Sequence, residues 1–137
     1  ISGETTAGGR ARLDAALKQF KPSVVILALG ANDGLRGVAP HEMRKNLSAA
    51  IELAKKNQIR VVLAGMKMPP NYGADYTARY EKVFRDLANT YQVVFIPFLL
   101  DGVAGVERLN LPDGIHPNAD GYKVIAEKIL PYIQPLL

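Results

Sequence analysis

Val24-Val25-Ile26-Leu27-Ala28-Leu29, running straight into Gly30-Ala31-Asn32-Asp33, is the stretch that decides the fold. Six consecutive apolar residues closed by a glycine turn read as a strand buried on both faces, the pattern of a parallel sheet. Upstream, Leu13, Ala16, Leu17 and Phe20 share one face of a helix expected from about Arg10 to Phe20, with Pro22 as its stop. Downstream, a second helix begins near Pro40, a favoured first-turn residue, and turns Met43, Leu47, Ala50, Ile51 and Ala54 inward. Arg60–Met66 is the next strand, and Pro69-Pro70-Asn71-Tyr72-Gly73 is a loop. Asp75 is placed to cap a third helix, in which Tyr76, Tyr80, Val83, Phe84, Leu87 and Tyr91 keep helical spacing. Val93–Ile96 reads as a third strand and Pro97 to Pro117 as a long connection. The last helix follows Asn118, with Tyr122, Ile125, Ala126, Ile129 and Leu130 as its stripe, and Pro131 is expected to break it.

Strands alternating with helices predict an α/β fold with a parallel sheet. A right-handed crossover normally starts from a strand, and here the first helix has none before it. The chain also opens Ile1-Ser2-Gly3-Glu4-Thr5-Thr6 without an initiator Met, a basic region or a signal-type apolar segment. We therefore expect residues 1–137 to be the C-terminal portion of a single domain whose N-terminal strand, helix and strand lie outside it.

Composition narrows the function classes. With 137 residues and 48% hydrophobic content the chain can bury a core. No apolar run approaches the roughly 20 residues of a membrane span. The net charge of +4 comes from Lys and Arg scattered along helices, and no aromatics alternate with them. A solvated surface explains these charges better than a nucleic-acid face. There is no cysteine, which removes disulfides, a thiol nucleophile and a cysteine-held zinc.

Three clusters carry chemistry. Gly30-Ala31-Asn32-Asp33 stands at the carboxyl end of a strand, the edge where open α/β sheets bind ligands. The Asn32 amide can donate to a developing oxyanion, or the cluster is an Asx-type turn that merely ends the strand. In Asp113-Gly114-Ile115-His116-Pro117, an Asp three residues before a His can hold the ring's Nδ1–H and leave Nε2 as a general base. The same pair also reads as a helix entry with a carboxylate at the positive end. A metal site is the weaker reading, since the other histidine, His41, has an exposed first-turn position and no paired-histidine spacing occurs. Ile1-Ser2-Gly3-Glu4-Thr5-Thr6 is, on its own, only a polar turn.

Together, and in this order, the clusters resemble the later conserved blocks of the SGNH (GDSL-like) serine hydrolases. The similarity is to the bacterial thioesterase, lysophospholipase and arylesterase branch, over essentially the whole chain. It rests on Ile1-Ser2-Gly3-Glu4-Thr5, Leu29 to Gly37, Met68-Pro69-Pro70-Asn71-Tyr72-Gly73 and Asp113-Gly114-Ile115-His116-Pro117-Asn118. The resemblance implies a flavodoxin-like sheet, order 2-1-3-4-5, with helices on both faces, of which this chain supplies the last three strands. It implies hydrolysis of carboxylic esters or thioesters, with Asp113 and His116 as two members of a catalytic triad and Gly3 and Asn32 in the oxyanion hole. Asp33, Leu35, Pro70, Asn71, Tyr72 and Ile115 are implied to line or support the substrate pockets, and no cofactor or metal is called for.

The family's nucleophile block has no counterpart here. Ser23 and Ser48 fall where the family has no such serine, and Ser2 lies inside the oxyanion block. The serine is expected from a missing N-terminal segment. Strand Val24–Leu29 would then be an edge, completed by that segment as a separate fragment or by strand exchange with another copy. Relatives of this branch point to a periplasmic or secreted location. The alternatives are a catalytically incomplete binding or assembly fragment and, less well supported, a flavodoxin-like phosphate binder. No Gly-rich phosphate loop follows a strand.

Overall fold

The computed structural model describes all 137 residues. Helix α1 spans Thr6–Phe20, β1 Val24–Leu27, α2 Ala31–Leu35 and α3 Pro40–Lys56. Then come β2 Arg60–Ala64, α4 Ala74–Tyr91, β3 Val94–Ile96 and α5 Ala119–Ile133. Single 3-10 turns cover Pro70–Tyr72, Glu107–Leu109 and Gln134–Leu136. The strands form one parallel sheet in the order β1-β2-β3, with Val24 opposite Arg60 and Val62 opposite Val94.

Alternation along the strands divides the core. Leu27, Val61 and Leu63 join Leu13 and Leu17 of α1, Met43, Leu47 and Ile51 of α3, and Tyr80, Phe84 and Leu87 of α4 in one cluster. On the other face α5 reaches β3, and Ile125 packs with Val103 and Leu109 of the long connection. Helices thus lie on both faces, as a flavodoxin-like sheet requires. The second face is incomplete over β1. Val62 is fully buried, whereas its ladder partner Ile26 is 38% exposed.

Several local expectations need correction. α1 starts four residues before Arg10, because Thr5 caps it by accepting the Gly8 N–H at 3.3 Å. Its Phe20 is 71% exposed rather than inward. β1 ends at Leu27 and is not buried on both faces, since it is the sheet edge with an apolar groove of about 270 Å³ against Leu13 and Ala16 of α1. Asp75 does not cap α4; Gly73 precedes the helix and Asp75 falls in its first turn. Pro131 does not break α5 but lies inside it. Tyr122, Ala126 and Leu130, expected in the buried stripe, are exposed, so that only Ile125 and Gly121 of α5 are buried.

Candidate active site

Parallel strands deliver their following loops to one edge of the sheet. Here that edge receives the β1–α2 turn, the segment after β2 that leads to Pro70, and the long β3–α5 connection.

The β1–α2 turn is held from below. Gly30 has φ +112, and a Cβ there would stand 3.0 Å from Phe84 Cζ and 3.1 Å from Met43 Sδ. Only glycine fits both the dihedral and the space. The buried Tyr80 hydroxyl donates to the Gly30 carbonyl at 2.7 Å. Burial first, and then the nearby Asp33 charge, push the Tyr80 phenol far above its ordinary pKa, so it remains a neutral donor. Beyond the glycine turn, Ala31–Leu35 form a short helix, which turns Asn32 and Asp33 toward the start of the chain. Asn32 Nδ2 donates to the Glu4 carbonyl at 2.9 Å. Arg36 donates to the Gly3 carbonyl at 3.1 Å. The Gly3 N–H itself has no acceptor within the chain. The structure therefore brings Gly3 and Asn32, the two expected oxyanion donors, onto neighbouring segments.

Asp33 differs from the other expected pocket residues. It is 2% exposed, and both carboxylate oxygens are taken by Thr6. It lies enclosed beneath the turn and is closed off from solvent. Leu35, Pro70 and Asn71 are exposed, and Tyr72 is half-buried. The Tyr72 hydroxyl donates to the Leu35 carbonyl at 3.3 Å, which joins the two expected pocket segments. Tyr76 continues the arrangement by donating to the Val38 carbonyl at 2.8 Å. Tyr72, on the 3-10 turn before α4, and Tyr76 and Tyr80 within α4 form a file of tilted rings whose hydroxyls pin the chain from Gly30 to Val38. The helical spacing of Tyr76 and Tyr80 was visible in the sequence, with Tyr72 in the loop before them, but the hydroxyl partners were not.

Asp113 and His116 sit on a tight loop. The Leu111 N–H donates to the His116 carbonyl at 2.8 Å, and Asn110 bridges Pro117 as in an antiparallel pair. Gly114, with φ +70, makes the reversal between them. Asn118 caps α5 by accepting the Gly121 N–H at 2.9 Å and donates to the Arg108 carbonyl at 2.9 Å. Asn110 donates to the Val103 and Val106 carbonyls at 2.8 Å each. Asn118 was marked in the sequence as the residue before the last helix, but its bond to Arg108 and the Asn110 anchor were not.

Within this frame Asp113 Oδ2 lies 2.6 Å from His116 Nδ1. Oδ1 accepts the Ile115 and His116 N–H groups at 2.9 and 3.0 Å. The His116 ring is the largest of the influences that hold the Asp113 carboxyl down to about 2, followed by those backbone N–H groups. An ionised Asp113 at Nδ1 selects the ring tautomer with the proton there, leaving Nε2 as the basic nitrogen. Nε2 has no partner in the chain, and the ring is exposed to solvent beside Ile115. A cavity of about 570 Å³ opens along the same loop, lined by Glu107, Asn110, Leu111 and Gly114.

No group of three or more His, Asp or Glu side chains converges as a metal ligand set. His41 is exposed and pairs with Glu42 at 3.3 Å. Ser23 precedes β1 at the opposite end of the sheet, and the Ser48 hydroxyl pairs with that of Tyr91 on the helical side. No helix is long and apolar enough to cross a membrane.

A parallel α/β sheet carrying an Asp–His pair on the loop before its last helix defines a hydrolase-type architecture. The chain belongs to the GDSL-like lipase/acylhydrolase family, the SGNH hydrolases, whose model matches residues 1–124. Esterase TesA of Pseudomonas aeruginosa is 41% identical over all 137 residues, which span 68% of that relative. Thioesterase 1/protease 1/lysophospholipase L1 of Escherichia coli is 36% identical, again over the whole chain and 66% of the relative. The chain thus spans about two thirds of the length of these curated relatives. Among solved structures, a crystal structure of TesA superposes with a TM-score of 0.95 at 41% identity, covering 100% of this chain and 76% of that one.

Proposed function

We propose that residues 1–137 form the C-terminal part of one SGNH hydrolase domain that cleaves carboxylic esters or thioesters through an acyl-enzyme. The observation that carries this reading is the 2.6 Å contact between Asp113 and His116 Nδ1, which leaves Nε2 open to solvent. The names of the relatives, esterase and thioesterase, agree with it.

In this reading a serine outside the 137 residues attacks the acyl carbon, and His116 Nε2 takes its proton. The negative charge that develops on the carbonyl oxygen is met by the Gly3 N–H and the Asn32 amide. Collapse expels the alcohol or thiol, which receives the proton from His116. Water then attacks the acyl-enzyme with His116 again as base, and the bond to the serine breaks as its oxygen takes back that proton and the acid leaves. Asp113 keeps the imidazole oriented throughout. Leu35, Tyr72 and Ile115 supply apolar surface to the acyl or alcohol group, with Pro70 and Asn71 at the rim. The serine-bearing segment completes the sheet at β1. Residence in the periplasm or outside the cell belongs to the same proposal.

The test is to combine the chain with the serine-bearing segment, add a fluorophosphonate probe and map the labelled residue. Labelling outside residues 1–137 that His116→Ala abolishes supports the reading. Labelling of Ser2, Ser23 or Ser48, or ester turnover by the 137-residue chain alone, overturns the placement of the nucleophile.

A further inference from the structure

Three side chains from α2 and the residue after it reach back to one four-residue segment. Asn32 donates to the Glu4 carbonyl and Arg36 to the Gly3 carbonyl. Between them, Asp33 Oδ1 accepts the Thr6 N–H at 2.7 Å and Oδ2 accepts the Thr6 hydroxyl at 2.6 Å. The outer two contacts are half-buried or exposed and can exchange with water. The middle one cannot, because Asp33 is 2% and Thr6 1% exposed.

The bonds at Thr6 are also complete. Asn46 donates to the Thr6 hydroxyl at 3.3 Å, which directs that hydroxyl's own hydrogen to Asp33. The carboxylate stands at the first turn of the fifteen-residue helix α1, where the N–H groups are unpaired and the helix dipole favours negative charge. Asp33 is thus a buried acid with no lysine or arginine partner, stabilised by a helix end 27 residues away in sequence.

The consequence falls on the two oxyanion donors. One Asn32 amide hydrogen is spent on Glu4, which fixes the plane of the amide and aims the second hydrogen. Gly3 is three residues from Thr6, and its free N–H is carried on the same segment. We propose that Asp33 is a positioning residue for ester hydrolysis, setting through Thr6 the spacing of the Gly3 N–H and the Asn32 amide around the oxyanion. This rests on the assignment of those two donors under the proposed function.

The experiment uses the enzyme with its serine-bearing segment and 4-nitrophenyl butyrate as substrate. Asn32→Ala is expected to lower kcat about a hundredfold. Asp33→Asn and Thr6→Val are expected to lower kcat about tenfold or more with KM within about twofold, the pattern of a group that acts in the transition state. Thr6→Ser keeps the hydroxyl and should restore kcat to within about threefold of the parent. Asp33→Asn placed in the Asn32→Ala background should cost less than it does alone, since one of the two donors it positions is gone. If Asp33→Asn does not fold, the Thr6→Val and Thr6→Ser pair decides alone. A slow Asn32→Ala beside an unchanged Asp33→Asn or Thr6→Val, or additive losses in the double variant, overturns the positioning role only. An unchanged Asn32→Ala overturns the oxyanion assignment and this role with it.

Discussion

Tyr80, buried on α4, donates its hydroxyl to the carbonyl of Gly30 at 2.7 Å, and so ties the one-sided core to the turn that carries Asn32. Gly30 also accepts the Gly34 N–H at 3.0 Å, so removing the phenol leaves its carbonyl with one partner. Tyr80→Phe should therefore cost about 1 kcal/mol, at the low end of the range for a broken buried hydrogen bond. Tyr76→Phe, half-buried, should cost less. Urea unfolding midpoints at unchanged slope measure both, and an equal loss in the two variants would contradict the ranking.

Gly30→Ala combines a left-handed dihedral with contact on Phe84 and Met43. Strain and overpacking together predict a loss of about 2–4 kcal/mol. Chemical denaturation reads it, and a shift below about 1 kcal/mol would show that the turn can relax.

The Asp113 carboxyl should stay ionised down to about pH 2. Its folded-state pKa lies below the unfolded value of about 4, so its stabilising effect is present above that value and is lost as the pH falls toward 2. Carboxyl carbon NMR gives the titration directly. His116→Ala removes the largest cause and should move the midpoint up toward the ordinary carboxylate range; an unmoved midpoint assigns the shift to the backbone N–H groups instead.

Asn118→Ala removes the α5 cap and the tie to Arg108. A loss of about 1–2 kcal/mol is expected, with faster amide exchange from Leu111 to His116. Exchange confined to α5, with the loop unchanged, would mean that the loop is held by Asn110 alone.

β1 predicts the behaviour of the isolated 137-residue chain. Its unpaired edge and the exposed Ile26 should drive self-association. Ile26→Lys should reduce that association without unfolding the chain, as seen by sedimentation, whereas Leu27→Lys, at a buried position, should unfold it. Identical association of the parent and Ile26→Lys would place the contact elsewhere.

The sequence by itself determined the strand count, the parallel order and the places where chemistry gathers. The run Val61–Leu63 and the helical stripes of α3 and α4 are set by burial, and burial leaves a periodic trace. The Asp113–His116 pair was equally legible, because its two members are three residues apart and one glycine turn joins them. Edges and ends were less so: Phe20, Tyr122 and Leu130 are apolar yet exposed, and Pro131 rides inside a helix, since neither outcome depends on residues nearby in the chain. What only the tertiary structure decided is which polar groups meet across long separations. Thr6 with Asp33, Glu4 with Asn32 and Gly30 with Tyr80 are 27, 28 and 50 residues apart. Hydrogen bonds at that range have no period, so the frame that holds Gly3 and Asn32 exists in the fold and not in the pattern.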